Sequence, residues 1–160
     1  SLSGGRAVAS MARDPRQLAL TYLQTHQVLT LATMGVEGVW ASAVFYASVV
    51  FDFYFLSAAH TRHAQNMVTN THVAGTIQED YRDWPAIKGI QLEGDVVLLT
   101  GEQRASAEAL YSQRYPFIQQ ANPQIRAGLA KVNWYRLQPT RLYFIDNSIR
   151  LGHRDEIGLP

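Results

Sequence analysis

Through most of this chain, hydrophobic positions alternate with polar ones in short runs rich in β-branched and aromatic residues. That alternation is the period of a half-buried strand. It predicts strands over Val28 to Thr33, Val39 to Tyr46, Phe51 to Leu56, Val73 to Gln78, Ile87 to Thr100, Val132 to Leu137 and Arg141 to Ile145. Met34-Gly35-Val36-Glu37-Gly38, with two glycines, turns the first two strands into a hairpin. A second turn is expected near Ala47-Ser48, which would set the third strand antiparallel to the second. Gly94, inside the longest run, signals a bulge or bend. Pro139 divides the last two runs.

Helical spacing occurs in fewer places. Asp14-Pro15 is a good helix start, since Asp caps the free N–H groups and Pro fits the first turn. Leu18, Leu20, Tyr22 and Leu23 then supply an apolar face as far as His26. Further helices are expected over Arg62 to Thr69, over Glu102 to Tyr115 (stopped by Pro116), and from Asn122-Pro123 to about Ala130. Glu79 to Pro85 is polar and ends in Trp-Pro, so it reads as a loop. Strands rich in bulky apolar residues on both faces must cover their edges or close on themselves. The expectation is therefore a mainly β, α+β fold: six or seven antiparallel strands closed into a barrel, with flanking helices.

Composition narrows the picture. The chain has 160 residues, enough for one domain with a real core, and its 47% apolar and 17% charged residues fit a globular protein. A net charge of +1 gives no footprint for nucleic acid or an anionic membrane surface. There is no cysteine, which excludes disulfides, thiolate zinc sites and a cysteine nucleophile and fits a cytoplasmic location. Val39 to Ala59 is mostly apolar, yet Asp52 and three serines interrupt it, so it reads as two strands and not a membrane span. Residues 1–10 lack a signal-peptide stretch. They read as a loose tail, or as residues left over from expression ahead of a start at Met11, with a single domain over 11–160.

The stretch most suggestive of chemistry is Phe51 to Ile77. A strand ends at Ser57, small residues follow, and Thr61-Arg62-His63 opens a helix. The first N–H groups of a helix lack intrahelical partners and carry partial positive charge, so such a start suits a phosphate. Arg62 adds a planar fork of donors that matches phosphate geometry. The other reading of the same residues is a solvated turn with an ordinary cap.

At these residues the chain resembles the FMN-binding split barrels related to pyridoxamine 5'-phosphate oxidase. Ser57, then Thr61-Arg62-His63, resembles that family's phosphate-binding turn, with His63 where a lysine is often found. Trp84-Pro85-Ala86-Ile87-Lys88-Gly89-Ile90-Gln91-Leu92-Glu93-Gly94 agrees, as does Tyr143-Phe144-Ile145-Asp146-Asn147-Ser148 with Gly152-His153-Arg154 after it. Together they resemble a small bacterial branch of the family, over roughly residues 14 to 157.

The resemblance implies a split-barrel homodimer with FMN at the subunit interface. It implies a flavin-dependent oxidoreductase of unknown substrate, drawing electrons from NAD(P)H or another small donor, with hydride transfer at the flavin N5. Cofactor contacts would come from Leu56, Ser57, Thr61, Arg62, His63 and Asn66 around the phosphate. Backbone groups of Ser42, Ala43, Val44 and Phe45 would meet the pyrimidine edge. Lys88, Gln91 and Trp84 would lie near the ring. Gln65 is one helical turn from the phosphate. No catalytic residue is named, and the oxidase's Arg-x-His substrate motif is missing. Relatives often carry basic residues on the second strand, where this chain has Ala41 and Tyr46.

These departures keep two alternatives open: a non-catalytic flavin-binding module, or the same barrel holding heme or a deazaflavin. For each aromatic and polar residue a structural role stands beside the functional one. Trp40, Phe45 and Tyr46 also read as core or dimer aromatics, and Trp84 and Trp134 read either as covers of the ring from the partner subunit or as loop anchors. His153 and Arg154 read either as anion ligands or as interface residues. His60-x-x-His63 with His72 lacks a carboxylate placed to complete a shell, so no metal is expected.

Overall fold

The computed structural model describes residues 13–160, so the expectations for residues 1–10 and for Met11 lie outside the described residues. Helix α1 (Pro15–Thr25) starts where Asp14 accepts from the amides of Arg16 and Gln17. Strands β1 (Val28–Gly35) and β2 (Gly38–Phe45) form the expected hairpin, in register from Val28–Phe45 to Gly35–Gly38. Then come β3 (Ala47–Val49), β4 (Asp52–Ser57), α2 (Arg62–Thr69), β5 (His72–Gln78), β6 (Lys88–Leu99), α3 (Gly101–Arg114), a 3₁₀ turn (Pro116–Ile118), α4 (Pro123–Ala130), β7 (Asn133–Asp146) and β8 (Arg154–Glu156).

One antiparallel sheet runs β2-β1-β5-β6-β7-β4-β3, with β8 on β7. Since β2 and β3 lie at opposite ends of that order but are separated only by Tyr46, the sheet curls back on itself. Leu29, Leu31, Val73, Ile77, Ile90, Leu92, Phe53, Phe55, Leu137 and Phe144 fill its inside, and α1 caps one end with Ala19, Tyr22 and Leu23. A second, smaller core lies outside the sheet, where α3 packs Ala107, Tyr111 and Tyr115 against Ala47, Leu99 and Trp134.

Three expectations change. The strand after β2 does not pair with it: β4 pairs with β3 and β7. The turn falls at Val50–Phe51 and not at Ala47-Ser48, and Val50 adopts φ 54°, a left-handed conformation costly for a β-branched residue. The two runs around Pro139 form one strand. Register shifts between Glu93 and Gly94, opposite Pro139 to Arg141, leaving Thr140 as the extra residue of a bulge. Inward positions on β7 accordingly change from Tyr135 and Leu137 to Leu142 and Phe144. Pro139 is tolerated because β4 stops at Leu137 and β8 begins at Tyr143, so its missing N–H faces no second strand.

Candidate functional site

The curled sheet brings β2 near β4 without pairing them, and the unpaired seam between them is the split. Helix α2, which links β4 to β5, packs into it. Its N-cap Thr61 accepts from the Ala64 amide at 3.3 Å and donates to the Ala58 carbonyl at 2.8 Å. Asn66 is buried and donates to Thr33 Oγ1 at 3.0 Å, which fixes the helix on β1. Gly35 makes room for this: a Cβ there would stand 1.9 Å from Asn66 Oδ1. Asn66 therefore anchors α2 through its side chain.

Around the helix start, Ser57 Oγ lies 2.5 Å from His63 Nε2. Burial holds the His63 imidazole below its ordinary pKa, so it is neutral at pH 7 and serves as a hydrogen-bonding group. Arg62 lies 4.3 Å over the Trp40 ring, donates to the Glu37 carbonyl at 3.2 Å and reaches the Glu37 carboxylate at 3.9 Å. That carboxylate faces the buried Arg62 Nε too far off for a hydrogen bond, and Ser42 Oγ, on the side of β2 that faces the barrel interior, likewise lacks one. Over Gly38–Phe45 the second edge of β2 carries no strand. That edge is already used at one point, since Tyr111 donates to the Phe45 carbonyl at 3.3 Å.

The remaining candidates fall into place by strand parity. Val44 is buried in the barrel core, while Ala43 and Phe45 point outward and are exposed. Leu56 points toward α3 and joins the second core, so only its backbone borders the split. Gln65 is exposed on α2. Tyr46 is fully buried, with its hydroxyl on the Leu23 carbonyl at 2.8 Å, so it offers nothing to a ligand.

Lys88, Gln91 and Trp84 lie elsewhere. Lys88 borders a cavity of about 360 Å³ with Asp14, Gln17 and Thr21 of the α1 segment. Gln91 is exposed on the outer face, in a row with Thr76, Thr30 and Ala43. That row meets β1 three residues from Thr33, about 10 Å along the strand. Trp84 is 71% exposed in the loop before β6, and its carbonyl accepts from Asn147 Nδ2 at 3.0 Å. Within one chain the first group gathers at the split, Lys88 and Trp84 lie apart from it, and Gln91 shares an outer-face row with Ala43. His153 is paired with Asp155 at 3.2 Å, Arg154 stacks on Tyr143 at 4.3 Å, and Trp134 lies in the second core with its Nε1 unpartnered. His60 is exposed, and His72 bridges Glu93 at 3.1 Å and Asp95 at 3.2 Å through opposite ring nitrogens, so the histidines share no site. No metal-binding group of three His, Cys, Asp or Glu exists among the described residues.

Sequence reasoning missed the contacts that hold Phe45 and Tyr46. Tyr111 of α3 and Tyr115 at its C-cap donate to the carbonyls of Phe45 and Tyr46, and Arg114 reaches the Leu23, Gln24 and His26 carbonyls. Two tyrosines four residues apart, Tyr111 and Tyr115, just before Pro116 were the available signal.

No helix among the described residues is long and apolar enough to cross a membrane. The curled sheet defines the class: this is a split-barrel protein. Its fold is shared with a heme binding protein from Mycobacterium smegmatis (TM-score 0.68, 20% identity, 85% of this chain and 56% of that one). It is also shared with HutZ, the heme storage protein of Vibrio cholerae (TM-score 0.64, 21% identity, 76% and 88%), and with a candidate pyridoxamine 5'-phosphate oxidase from Listeria innocua (TM-score 0.65, 16% identity, 82% and 98%). No family model matches the chain. Among curated relatives, a UPF0306 protein of Photorhabdus laumondii is 40% identical over 107 residues, covering 66% of this chain and 75% of that protein. One from Yersinia pseudotuberculosis is 31% identical over 138 residues, 74% of this chain and 91% of that protein. The chain belongs to the UPF0306 family.

Proposed function

We propose that this protein binds FMN in the split, as a homodimer, and acts as a flavin-dependent oxidoreductase with a small-molecule electron donor such as NAD(P)H. One observation carries the reading: the Ser57–His63 turn opens α2 beside a strand edge without a partner strand, with two buried polar atoms there unsatisfied. The residues present suit the ligand. The Arg62 and His63 amides and the Arg62 guanidinium would hold the phosphate. Neutral His63, steadied by Ser57, would donate a hydrogen bond. Ser42 Oγ and free β2 backbone groups would meet the polar edge of the ring. When bound, FMN supplies two-electron redox chemistry; the chain's part is to hold it, exclude water and orient it.

The dimer reading rests on the outer face of β1, β2 and β5. Ala32, Ala41, Ala43 and Ala74 form an exposed small-residue floor, framed by Val28, Met34, Val39 and Phe45, which are 41–71% exposed. An exposed apolar face of this kind marks an interface. A second copy is also a source of Trp84 and Lys88, which lie apart from the split in their own chain.

A second reading, a heme-binding module, is favoured by the absence of a cation at Ala41 and Tyr46 and by the binding named for two structural neighbours. Fluorescence titration tests the first reading: FMN emission should be quenched at micromolar protein. No quenching, with a Soret band on adding heme, would replace it with the second.

A further inference from the structure

Away from the split, α3 stands off the sheet at its N-terminal end and leaves a cavity of about 390 Å³. Its floor is Val49, Tyr54, Leu99 and Arg136; its roof is Gln103, Ser106, Ala107 and Leu110. Arg136 sits in the middle of a cross-strand row, between Val97 on β6 and Tyr54 on β4, which pairs in turn with Ala47. Its neighbours along the row are therefore apolar or phenolic. Its Nε is buried without a partner, and among the described residues the guanidinium has neither a hydrogen bond nor an ion pair. Asp52 lies within electrostatic range and Glu102 stands at the exposed rim, yet neither closes on it.

A cation that has left bulk water normally acquires a carboxylate or phosphate partner. Here the partner's place is open space lined mainly by Val49, Tyr54, Leu99, Ala107 and Leu110, with Gln103 and Ser106 the polar part of the roof. Pockets of this size, mostly apolar with one charged anchor, are typical of small-molecule sites.

We propose that the α3 cavity is a second ligand site, which takes a compact apolar carboxylate with its charged end on Arg136. The Tyr54 ring and Leu99 contact the apolar body, and Ser106 and Ala107 are small enough to leave it room. Glu102, across the mouth, repels a carboxylate that enters reversed, so it fixes the orientation. The site lies on the opposite side of β4 from Ser57 and His63, so it is independent of the flavin reading.

The test uses the full chain and two probes of equal length, octanoate and 1-octanol, with binding measured by calorimetry. The unaltered protein should bind octanoate roughly tenfold or more tightly than octanol, as a charge-assisted hydrogen bond implies. Arg136→Gln should abolish that preference while leaving octanol binding intact, which also shows that the variant is folded. Ser106→Leu, which fills the cavity, should weaken both probes together. FMN titration of Arg136→Gln should match that of the unaltered protein. Equal binding of octanoate and octanol to the unaltered protein, or an octanoate preference that survives Arg136→Gln, overturns the proposal. Failure of FMN to bind any form would count against the flavin reading alone.

Discussion

Replacing Arg62 by Gln separates a phosphate site from an ordinary helix start. In the free chain Arg62 spends its guanidinium on contacts that are weak to give up. The Glu37 carboxylate is 3.9 Å away on a side chain that is 76% exposed, an ion pair of about 0–1 kcal/mol. Stacking on Trp40, itself 44% exposed, contributes about 0.5–1 kcal/mol. Charge-assisted hydrogen bonds to a phosphate contribute about 1.5–3 kcal/mol. Subtracting the contacts surrendered, midpoint from midpoint, leaves about 1 kcal/mol, so Arg62→Gln should weaken FMN roughly fivefold. Riboflavin, which has the ring and no phosphate, should bind both forms alike. Parallel fluorescence titrations with the two flavins give the comparison directly. If Arg62→Gln weakens riboflavin as much as FMN, or weakens neither, the guanidinium does not meet the phosphate and the reasoning fails.

Further outcomes follow from the same geometry. Gly94→Ala places a Cβ 2.3 Å from the Gln138 carbonyl oxygen and 2.6 Å from Pro139 Cα, both backbone, so about 1–3 kcal/mol should be lost and the melting temperature should fall by several degrees; an unchanged melt would mean that the bulge can yield. Val50→Asn puts a residue that tolerates φ 54° at an exposed turn and should stabilise by about 1 kcal/mol, raising the melting point by roughly 2–4 °C; a lower melt would contradict the strain. His63 has a folded-state pKa below its ordinary value because of burial, so the unfolded chain takes up the proton first. Its stabilisation is present above about pH 6.5 and is lost as pH falls toward the folded pKa, and urea titrations of His63→Gln should lack that slope. His72 behaves oppositely: hydrogen bonds to Glu93 and then Asp95 raise its pKa. Its imidazole NMR titration should therefore lie above the ordinary value, and Glu93→Gln should move it down.

Much of this architecture is written in local chemistry. Asp14-Pro15 starts α1 because cap and proline act within one turn, and Thr61 does the same for α2. Gly94 marks a real bulge because close approach to Gln138 and Pro139 excludes a side chain. Where expectation failed, long-range packing had overruled the local signal. A valine at a left-handed turn carries no turn chemistry, so the β3–β4 hairpin was invisible and β4 was given the wrong neighbour. Pro139 reads as a breaker until the bulge opposite shows why the strand survives it.

The candidate site was legible in part. The Ser57–His63 turn is local and was found; its contacts with Glu37, Trp40 and Thr33 join distant segments and were not. Lys88 and Gln91 are close to Trp84 in sequence but on a different part of the barrel from Arg62, and spacing alone carries no information about that. Arg136 drew no notice in sequence, because an arginine in an alternating strand reads as an outward charge.

The most direct measurement is an amide-resolved NMR titration with FMN on the intact protein. The amide resonances of Arg62 and His63 should move downfield on adding FMN, as donors to a dianion do, and should stay in place with riboflavin. Shifts that spare these two amides, or that appear equally with riboflavin, would contradict the phosphate site at the start of α2.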